Sequence, residues 1–152
     1  MDIQNQVVLA IGSNQGNRLE VIQSAIECIH NEVGTIVKVS RLYETPAWGF
    51  ESEPFYNCAL VMHSPLSADV ILGKVLSLEK KLGRVRSEKE GYQSRIIDID
   101  VIAFNEDIIA TESLKIPHPL MQERMFVLLP MRDLNLDWRH PILQDRKSTR
   151  LN

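Results

Sequence analysis

Two amphipathic helical segments separate strand-like segments along this 152-residue chain. The first helix is predicted from about residue 18 to 32, and Asn17 followed by Glu20 forms a capping-box pattern at its start. The second is predicted to begin near Ser67 and to end at Gly83. Both carry apolar residues at spacings of three and four, as a helix that packs one face on a core does: Leu19, Ile22, Ile26, Ile29 and Val33, and then Ile71, Val75, Leu78 and Leu82.

Runs of apolar and β-branched residues on either side of the helices predict strands. Pro130 interrupts the apolar stretch 126–131, which leaves an edge strand or a short helix as alternatives there. The polar stretch 84–94, which contains a glycine, is predicted as a loop. The predicted strands are 7–11, 35–43, 55–62 and 95–104, with a short one near Ile108.

The resulting order, β-α-β-β-α-β with additions at the C-terminus, is the split βαβ arrangement. It predicts an α+β, ferredoxin-like fold in which an antiparallel sheet has two main helices on one face. We expect substrate loops on the other face, where a ligand would have access to the sheet. No linker divides the chain, so residues 1–152 are predicted to form a single domain.

Composition and charge exclude several classes of protein. Apolar residues make up 44% of the chain and charged residues 24%, as in ordinary globular proteins. The net charge of −3 argues against binding to nucleic acid or to an anionic membrane. No apolar run approaches the roughly 20 residues of a membrane span, and no signal peptide is expected. Cys28 and Cys58 offer no disulfide framework, so we expect a reducing, cytoplasmic location.

Asp98 and Asp100 lie two positions apart inside the apolar run RIIDIDVIAF. Alternate residues of a strand point to the same face, roughly 7 Å apart, so both carboxylates face away from Ile97, Ile99 and Val101. Two carboxylates this close repel each other unless cations neutralise them. Hard oxygen ligands favour Mg²⁺, as one ion or two. Ordinary solvated aspartates on an exposed sheet face are the alternative.

Cationic residues surround this acidic pair in sequence, in GRVRSEKEGYQSR before it and in IPHPLMQER after it. Guanidinium groups clamp phosphate oxygens bidentately while Mg²⁺ bridges them, so the combination is typical of a nucleoside triphosphate site. A basic surface loop without a ligand is the alternative. The cationic residues are Arg84, Arg86, Lys89 and Arg95 before the pair, and His118 and Arg124 after it.

Three other patterns are less specific. GSNQGNR could cradle a phosphate at a helix N-terminus, but it lacks the Walker lysine and the GxGxxG spacing, so a plain strand-to-helix turn is the alternative. The four histidines show no metal-ligand spacing, which argues against a zinc site. The few aromatic residues lie mostly near loops, where some could sandwich a flat heterocycle.

Seven motifs of the chain together resemble one family, the 6-hydroxymethyl-7,8-dihydropterin pyrophosphokinases of folate biosynthesis, and they follow the family's order over residues 7–131. The resemblance implies a ferredoxin-like fold, in agreement with the order of elements. It also implies transfer of the β,γ-pyrophosphoryl group of ATP to the hydroxymethyl oxygen of the pterin, with release of AMP. The motifs are GSNQGNR, YETPAWG, FYNCAL, LEKKLGRVR, SRIIDIDVIAF, IPHPLMQER and FVLLPM.

The resemblance implies roles for individual residues near the triphosphate. Asp98 and Asp100 would bind two Mg²⁺ ions that bridge the triphosphate and the attacking hydroxyl. Arg84 and Arg95 would complete the catalytic set. The matching ATP-binding positions are Glu79, Arg84, Arg86, Arg95, His118 and Arg124.

A second group of residues matches the family's pterin pocket. Phe55 and Phe126 would stack on the pterin ring, and Asn57 would hydrogen bond to its polar edge. The matching pterin-binding positions are Thr45, Pro46, Trp48, Phe55, Asn57 and Phe126.

The resemblance also implies mobile loops, and the chain departs from the family's pattern at some positions. Segments 12–18, 46–55 and 84–95 correspond to mobile loops that close over the substrates and exclude water. Gln93-Ser94 stands where the family usually has glycine-proline. The polar residues 142–152 carry little amphipathic pattern, and we expect a disordered tail there.

Two other functional classes remain open. A nucleotidyltransferase also combines a GS turn with an acidic pair and Mg²⁺, but it would release pyrophosphate, and here Ser13 and Asp98 are 85 residues apart. A ferredoxin-like binding module for RNA or a small molecule is the other class, and an RNA-binding sheet would have stacked aromatics and a basic face. We expect a monomer whose partners are ATP and 6-hydroxymethyl-7,8-dihydropterin, and neither nucleic acid nor membrane.

Overall fold

A computed structural model describes residues 4–14, 17–45, 54–83, 97–118 and 130–134, and the backbone of 85–87 and 92–94. The predicted tail 142–152 lies outside the described residues, and the single domain over 1–152 stays a prediction. The elements are β1 (Asn5–Ser13), α1 (Arg18–Glu32), β2 (Thr35–Val39), β3 (Tyr43–Thr45), β4 (Phe55–Ser64), α2 (Ala68–Lys81), β5 (Val85–Ser87), β6 (Tyr92–Ser94), β7 (Asp98–Phe104), β8 (Ile109–Ala110) and β9 (Lys115–Ile116).

The main sheet has the strand order β2-β4-β1-β7, with β3 also paired to β4, and all of its pairings are antiparallel. The two helices pack on one face of this sheet, which we call the helix-side face. Both helices and three strands contribute to the core on this face. One buried cluster contains Ile22 of α1, Ile71 of α2, and Leu9, Leu60 and Ile99 of the strands. This arrangement confirms the predicted α+β, ferredoxin-like fold.

Both helices begin at the predicted caps. The Asn17 side chain accepts a hydrogen bond from the Glu20 N–H at 3.1 Å, and the Ser67 side chain accepts one from the Val70 N–H at 3.4 Å. Gly83 follows α2 with a φ of 113°, a conformation that glycine adopts without steric strain. Within the described residues, no helix is long and apolar enough to cross a membrane.

The single strand predicted over 35–43 is wrong, because the chain departs from regular pairing at Ser40 and forms two strands. The Ser40 N–H donates to the Ala59 carbonyl at 2.8 Å, and the Ala59 N–H donates to the Ser40 hydroxyl oxygen at 2.9 Å. A side chain thus takes the place of a backbone acceptor. Regular pairing with β4 resumes in β3, where Tyr43 lies opposite Asn57.

The loop predicted over 84–94 is also wrong in part, because β5 and β6 form an antiparallel ribbon. The prediction rested on polar side chains and a glycine, which do not prevent the backbone groups of a hairpin from pairing. The paired residues are Val85 with Ser94, Arg86 with Gln93 and Ser87 with Tyr92. The short strand predicted near Ile108 is confirmed as β8.

The opposite side of the sheet, which we call the second face, is covered over one half by the C-terminal segment 130–134. Residues 130–133 are helical, which matches the helix alternative for this end of 126–131. A β-bulge in β7 turns two consecutive residues toward this segment. The buried cluster here contains Met131 and Leu134 packed on Val8, Ala10, Ala59, Val61, Ile102 and Ala103.

Candidate active site

Polar side chains collect on the other half of the second face, where β4, β1 and β7 lie side by side. Gly12 of β1 lies between Asn57 of β4 and Asp98 of β7 in the strand register. Because Ile99 is buried in the helix-side core, strand alternation turns Asp98 and Asp100 toward the second face. Asp98 is half-buried and Asp100 is exposed. The carboxylate pair therefore faces away from the helices, as the sequence predicted.

Asn57, Thr45 and Phe55 form a polar and aromatic corner beside Gly12. Asn57 Nδ2 donates to Thr45 Oγ1 at 2.6 Å, and Thr45 pairs with Phe55 in the sheet register. A Cβ atom on residue 12 would lie 2.9 Å from Asn57 Oδ1 and 3.6 Å from Phe55 Cδ1. The structure thus brings together three of the residues predicted for the pterin pocket. Sequence reasoning gave Gly12 no role at this corner.

Arg18 joins the start of α1 to the start of β4. Its Nη1 donates to the Pro54 carbonyl at 2.6 Å, and its guanidinium lies 4.0 Å from the centroid of the Tyr56 ring. The hydrogen bond and the cation–π contact hold the residues on either side of Phe55. For the described part of GSNQGNR, these contacts favour the strand-to-helix turn over the phosphate cradle.

A cleft of about 380 Å³ runs along the outer edge of β7, between α2 and the β8–β9 hairpin. Four residues predicted to hold ATP or metal line it: Glu79, Asp98, Asp100 and His118. The His118 N–H donates to the Ile102 carbonyl at 2.9 Å, which holds this residue against β7. The cleft therefore combines the acidic pair with a histidine and with an apolar wall formed by Leu72, Leu76 and Leu114.

Part of this cleft could have been found from the spacing of residues on α2. Leu72 and Leu76 are spaced by four on α2, beside the core stripe, and Leu76 is 49% exposed. Glu79 lies on the stripe itself, four residues after Val75, and is only 3% exposed. Its Oε2 accepts a hydrogen bond from the Ile99 N–H at 2.7 Å. A carboxylate at a core position was visible in the sequence, but its partner was not.

The acidic pair fits Mg²⁺ in its donor chemistry. Within the described residues, no group of three or more His, Cys, Asp or Glu side chains could hold a metal ion. Mg²⁺ sites commonly use only one or two carboxylates and take their remaining ligands from water and substrate phosphates. Asp98 and Asp100 supply such a pair, and both line the cleft. The pair is therefore suited to a metal that binds together with a triphosphate.

A charged cluster links β3 to the C-terminal segment 130–134. Asp133 accepts hydrogen bonds from Arg41 N at 3.0 Å, from Arg41 Nε and Nη2 at 3.1 Å, and from the Tyr43 hydroxyl at 2.9 Å. The side-chain hydrogen bond from Arg41 is the main reason that the pKa of Asp133 is lowered to about 2. Lys38 Nζ also donates to the Leu134 carbonyl at 2.9 Å. Sequence reasoning missed this cluster.

Several residues predicted for the site lie outside the described part of the chain. Their roles, and the mobility expected for their loops, stay predictions. They are Pro46, Trp48, Arg84, Arg95, Arg124 and Phe126, together with the side chain of Arg86.

Comparison with known proteins decides the family. The model of the family described as 7,8-dihydro-6-hydroxymethylpterin-pyrophosphokinase (HPPK) matches residues 8–136. The 2-amino-4-hydroxy-6-hydroxymethyldihydropteridine pyrophosphokinase of Porphyromonas gingivalis is 38% identical over 138 residues, which cover 89% of this chain and 93% of that protein. The chain belongs to the HPPK family.

Two further proteins are similar over most of the chain. The folic acid synthesis protein fol1 of Pneumocystis carinii is 39% identical over 142 residues, which cover 92% of this chain and 19% of that protein. The crystal structure of Plasmodium falciparum HPPK-DHPS wild type with SDX-DHP matches with a TM-score of 0.71 at 18% identity, over 91% of this chain and 41% of that chain. The structural match supports the α+β, ferredoxin-like fold.

Family membership sets aside the two competing classes, nucleotidyltransferase and binding module. The protein is a pyrophosphokinase of folate synthesis that transfers the pyrophosphoryl group of ATP to hydroxymethyldihydropterin.

Proposed function

We propose that the enzyme binds ATP in the cleft beside β7 and the pterin at the corner formed by Thr45, Phe55 and Asn57. The observation that carries this proposal is the strand register that places Asn57, Gly12 and Asp98 in one row. Two strand spacings, about 10 Å, separate the pterin corner from the carboxylates. A bicyclic ring with a hydroxymethyl arm can cover such a distance. Gly12 has no side chain, so it leaves room for this ligand on the sheet surface between the pterin corner and the carboxylates.

The pterin corner orients the acceptor. Phe55 stacks on the ring, and the polar groups of Asn57 and Thr45 hydrogen bond to its edge. The residues proposed to complete the pocket are Pro46, Trp48 and Phe126.

The triphosphate lies at the carboxylate end of the row. His118 and the predicted arginines contact its oxygens, with bidentate guanidinium contacts that fix the phosphorus atoms in place. Arg84 and Arg95 act on the transferring group, where charge develops in the transition state. The remaining contacts are proposed for Arg86 and Arg124.

The reaction is one in-line displacement. The hydroxymethyl oxygen of the pterin attacks the β-phosphorus of ATP, the bond from that phosphorus to the α,β-bridging oxygen breaks, and AMP leaves while the hydroxyl proton passes to solvent. Positioning and charge neutralisation account for most of the catalysis in phosphoryl transfer. No separate general base is needed from the protein.

Asp98 and Asp100 are the proposed ligands of two Mg²⁺ ions. When bound, Mg²⁺ offsets the negative charge of the triphosphate and of the transferring group. Asp98 and Asp100 would hold the metal at the carboxylate end of the row, next to the cleft that they line. We further propose that the enzyme acts as a monomer in the cytoplasm.

Replacing either aspartate by asparagine tests the metal assignment. We expect Asp98→Asn and Asp100→Asn to lower turnover by at least about a hundredfold, because a bound metal supplies several kcal/mol of transition-state stabilisation. Binding of Mn²⁺ in the presence of a non-hydrolysable ATP analogue, followed by electron paramagnetic resonance, should weaken in parallel.

Asp107→Asn is the matched control, because Asp107 is an exposed aspartate in the turn that follows the same strand. It should leave both turnover and Mn²⁺ affinity unchanged. Near-normal turnover in Asp98→Asn or Asp100→Asn would refute the metal assignment.

A further inference from the structure

Glu79 is a buried carboxylate that accepts a hydrogen bond from the backbone between the two site aspartates. Its side chain extends from the core stripe of α2 and is 3% exposed. Its Oε2 accepts from the Ile99 N–H at 2.7 Å, and Ile99 separates Asp98 from Asp100. Burying a carboxylate is unfavourable unless hydrogen bonds compensate for the lost hydration. The Glu79 carboxylate therefore supplies a hydrogen-bond acceptor that the backbone of β7 needs.

That need arises because, among the strands that the structure describes, β7 is the last on its side of the main sheet. Consecutive residues of a strand turn their N–H groups toward opposite edges. The Ile99 N–H bonds to Glu79 on α2, so it points away from β1. The N–H groups of Asp98 and Asp100 accordingly point toward β1, with which both residues pair. The three residues are held from both edges of the strand.

We propose that Glu79 is a positioning residue for the metal site. It fixes the backbone of Ile99 and so fixes the direction in which the Asp98 and Asp100 carboxylates extend. The role replaces the nucleotide-side contact that the family resemblance implies for Glu79, since it acts through the backbone of β7. It rests on the proposed function, because it has consequences for catalysis only if the two aspartates hold the metal.

Two substitutions separate the hydrogen bond from the charge. Glu79→Gln keeps an oxygen acceptor at the same reach and removes the charge. Glu79→Leu removes the acceptor and roughly keeps the volume. If Glu79→Leu does not fold, Glu79→Asp takes its place, because it keeps the charge and withdraws the oxygen by one methylene.

The readouts are Mn²⁺ affinity with a non-hydrolysable ATP analogue, affinity for the same analogue in excess EDTA, and hydrogen exchange of the Ile99 amide. Residues that orient metal ligands typically contribute 10- to 100-fold in metal affinity. We expect Glu79→Leu or Glu79→Asp to lose about that factor and to exchange the Ile99 amide faster. Metal-free nucleotide affinity should stay within about twofold, and Glu79→Gln should keep Mn²⁺ affinity within about threefold of the wild type.

Three results would overturn the inference. Unchanged Mn²⁺ affinity in Glu79→Leu would show that the hydrogen bond does not position the pair. An equal loss of metal-free nucleotide affinity would make Glu79 a direct nucleotide contact. A loss in Glu79→Gln as large as in Glu79→Leu would make charge, and not geometry, the cause.

Asp98→Asn, measured in parallel, distinguishes this inference from the proposed function. If Asp98→Asn also leaves Mn²⁺ affinity unchanged, the metal assignment fails and the role of Glu79 fails with it. If Asp98→Asn loses affinity while Glu79→Leu does not, only the role of Glu79 is refuted.

Discussion

Gly12 determines how the Asn57 side chain lies on the second face. Asn57 Oδ1 occupies the space next to the missing side chain, 2.9 Å from where a Cβ would be. Its amide nitrogen donates to Thr45 Oγ1 at 2.6 Å. The carboxamide is therefore held in one orientation before a ligand arrives. Preorganised polar groups lose less entropy on binding than mobile ones.

A methyl group at Gly12 should displace Asn57 and weaken pterin binding. For Gly12→Ala we expect the Kd of the pterin to rise about tenfold, which is roughly 1.4 kcal/mol and typical of one well-placed hydrogen bond. The affinity for ATP should change by no more than about twofold, because the cleft lies along the outer edge of β7. A fluorescence titration with the pterin measures the first affinity, and calorimetry measures the second.

Gly73→Ala is the matched control for this prediction. Apart from its chain neighbours and the nearby backbone of α2, a Cβ on residue 73 would meet no described atom within 4 Å, so the added methyl group should displace nothing. This variant should bind the pterin like the wild type. If Gly12→Ala did the same, the orientation of Asn57 would have no bearing on pterin recognition.

At the scale of whole elements, the C-terminal segment 130–134 is fixed by polar contacts as well as by apolar packing. Met131 and Leu134 are fully buried against the second face. Asp133 binds Arg41, two residues before β3, and Tyr43, the first residue of β3. Since β3 carries Thr45, the same cluster secures one side of the pterin corner.

The Asp133 carboxylate should make stability depend on pH in acid. Its pKa in the folded protein is about 2, against an ordinary value of 3.8, so the folded state binds fewer protons than the unfolded state between these values. The contribution is fully present above the ordinary pKa and is lost as the pH falls through about 2. The urea midpoint of the wild type should therefore exceed that of Asp133→Asn near neutral pH, and the difference should narrow as the pH falls from about 5 to 2.

Asp107→Asn serves as the reference, since its exposed side chain should give a difference from the wild type that is small at every pH. A difference between the wild type and Asp133→Asn that stayed constant over the acid range would show that the charge of Asp133 contributes nothing to stability.

The sequence predicted those elements whose signals are local. The two helices could be predicted because Asn17, Ser67 and Gly83 cap stripes of regular spacing. The break at Ser40 could not, because it depends on a hydrogen bond with Ala59 across the sheet. Arg41 and Asp133 are 92 residues apart, and no pattern in the sequence connects them.

At the scale of the whole molecule, the second face is divided between a covered half and a substrate half. The C-terminal segment 130–134 buries the apolar end of the face. The other end presents Asn57, Gly12 and Asp98 in one row. This division gives the sheet a packed layer on both sides while it leaves the acidic pair open to ligands.

The composition of the site could be predicted better than its geometry. The side on which Asp98 and Asp100 lie follows from strand alternation alone, and their proposed roles came from the family resemblance. The approach of Gly12 to Asn57 depends on the register of β1 against β4, which the sequence does not specify. The bond from Ile99 to Glu79 likewise requires α2 to pack at one height along β7.

The reaction itself is tested most directly by separating its products. Purified protein is incubated with 6-hydroxymethyl-7,8-dihydropterin, Mg²⁺ and ATP labelled on its β-phosphate. We expect AMP and labelled pterin diphosphate in equal amounts, and neither of them when EDTA replaces Mg²⁺. Formation of ADP with a pterin monophosphate, or of pyrophosphate with an adenylylated pterin, would contradict the assignment of this chain as a pyrophosphokinase.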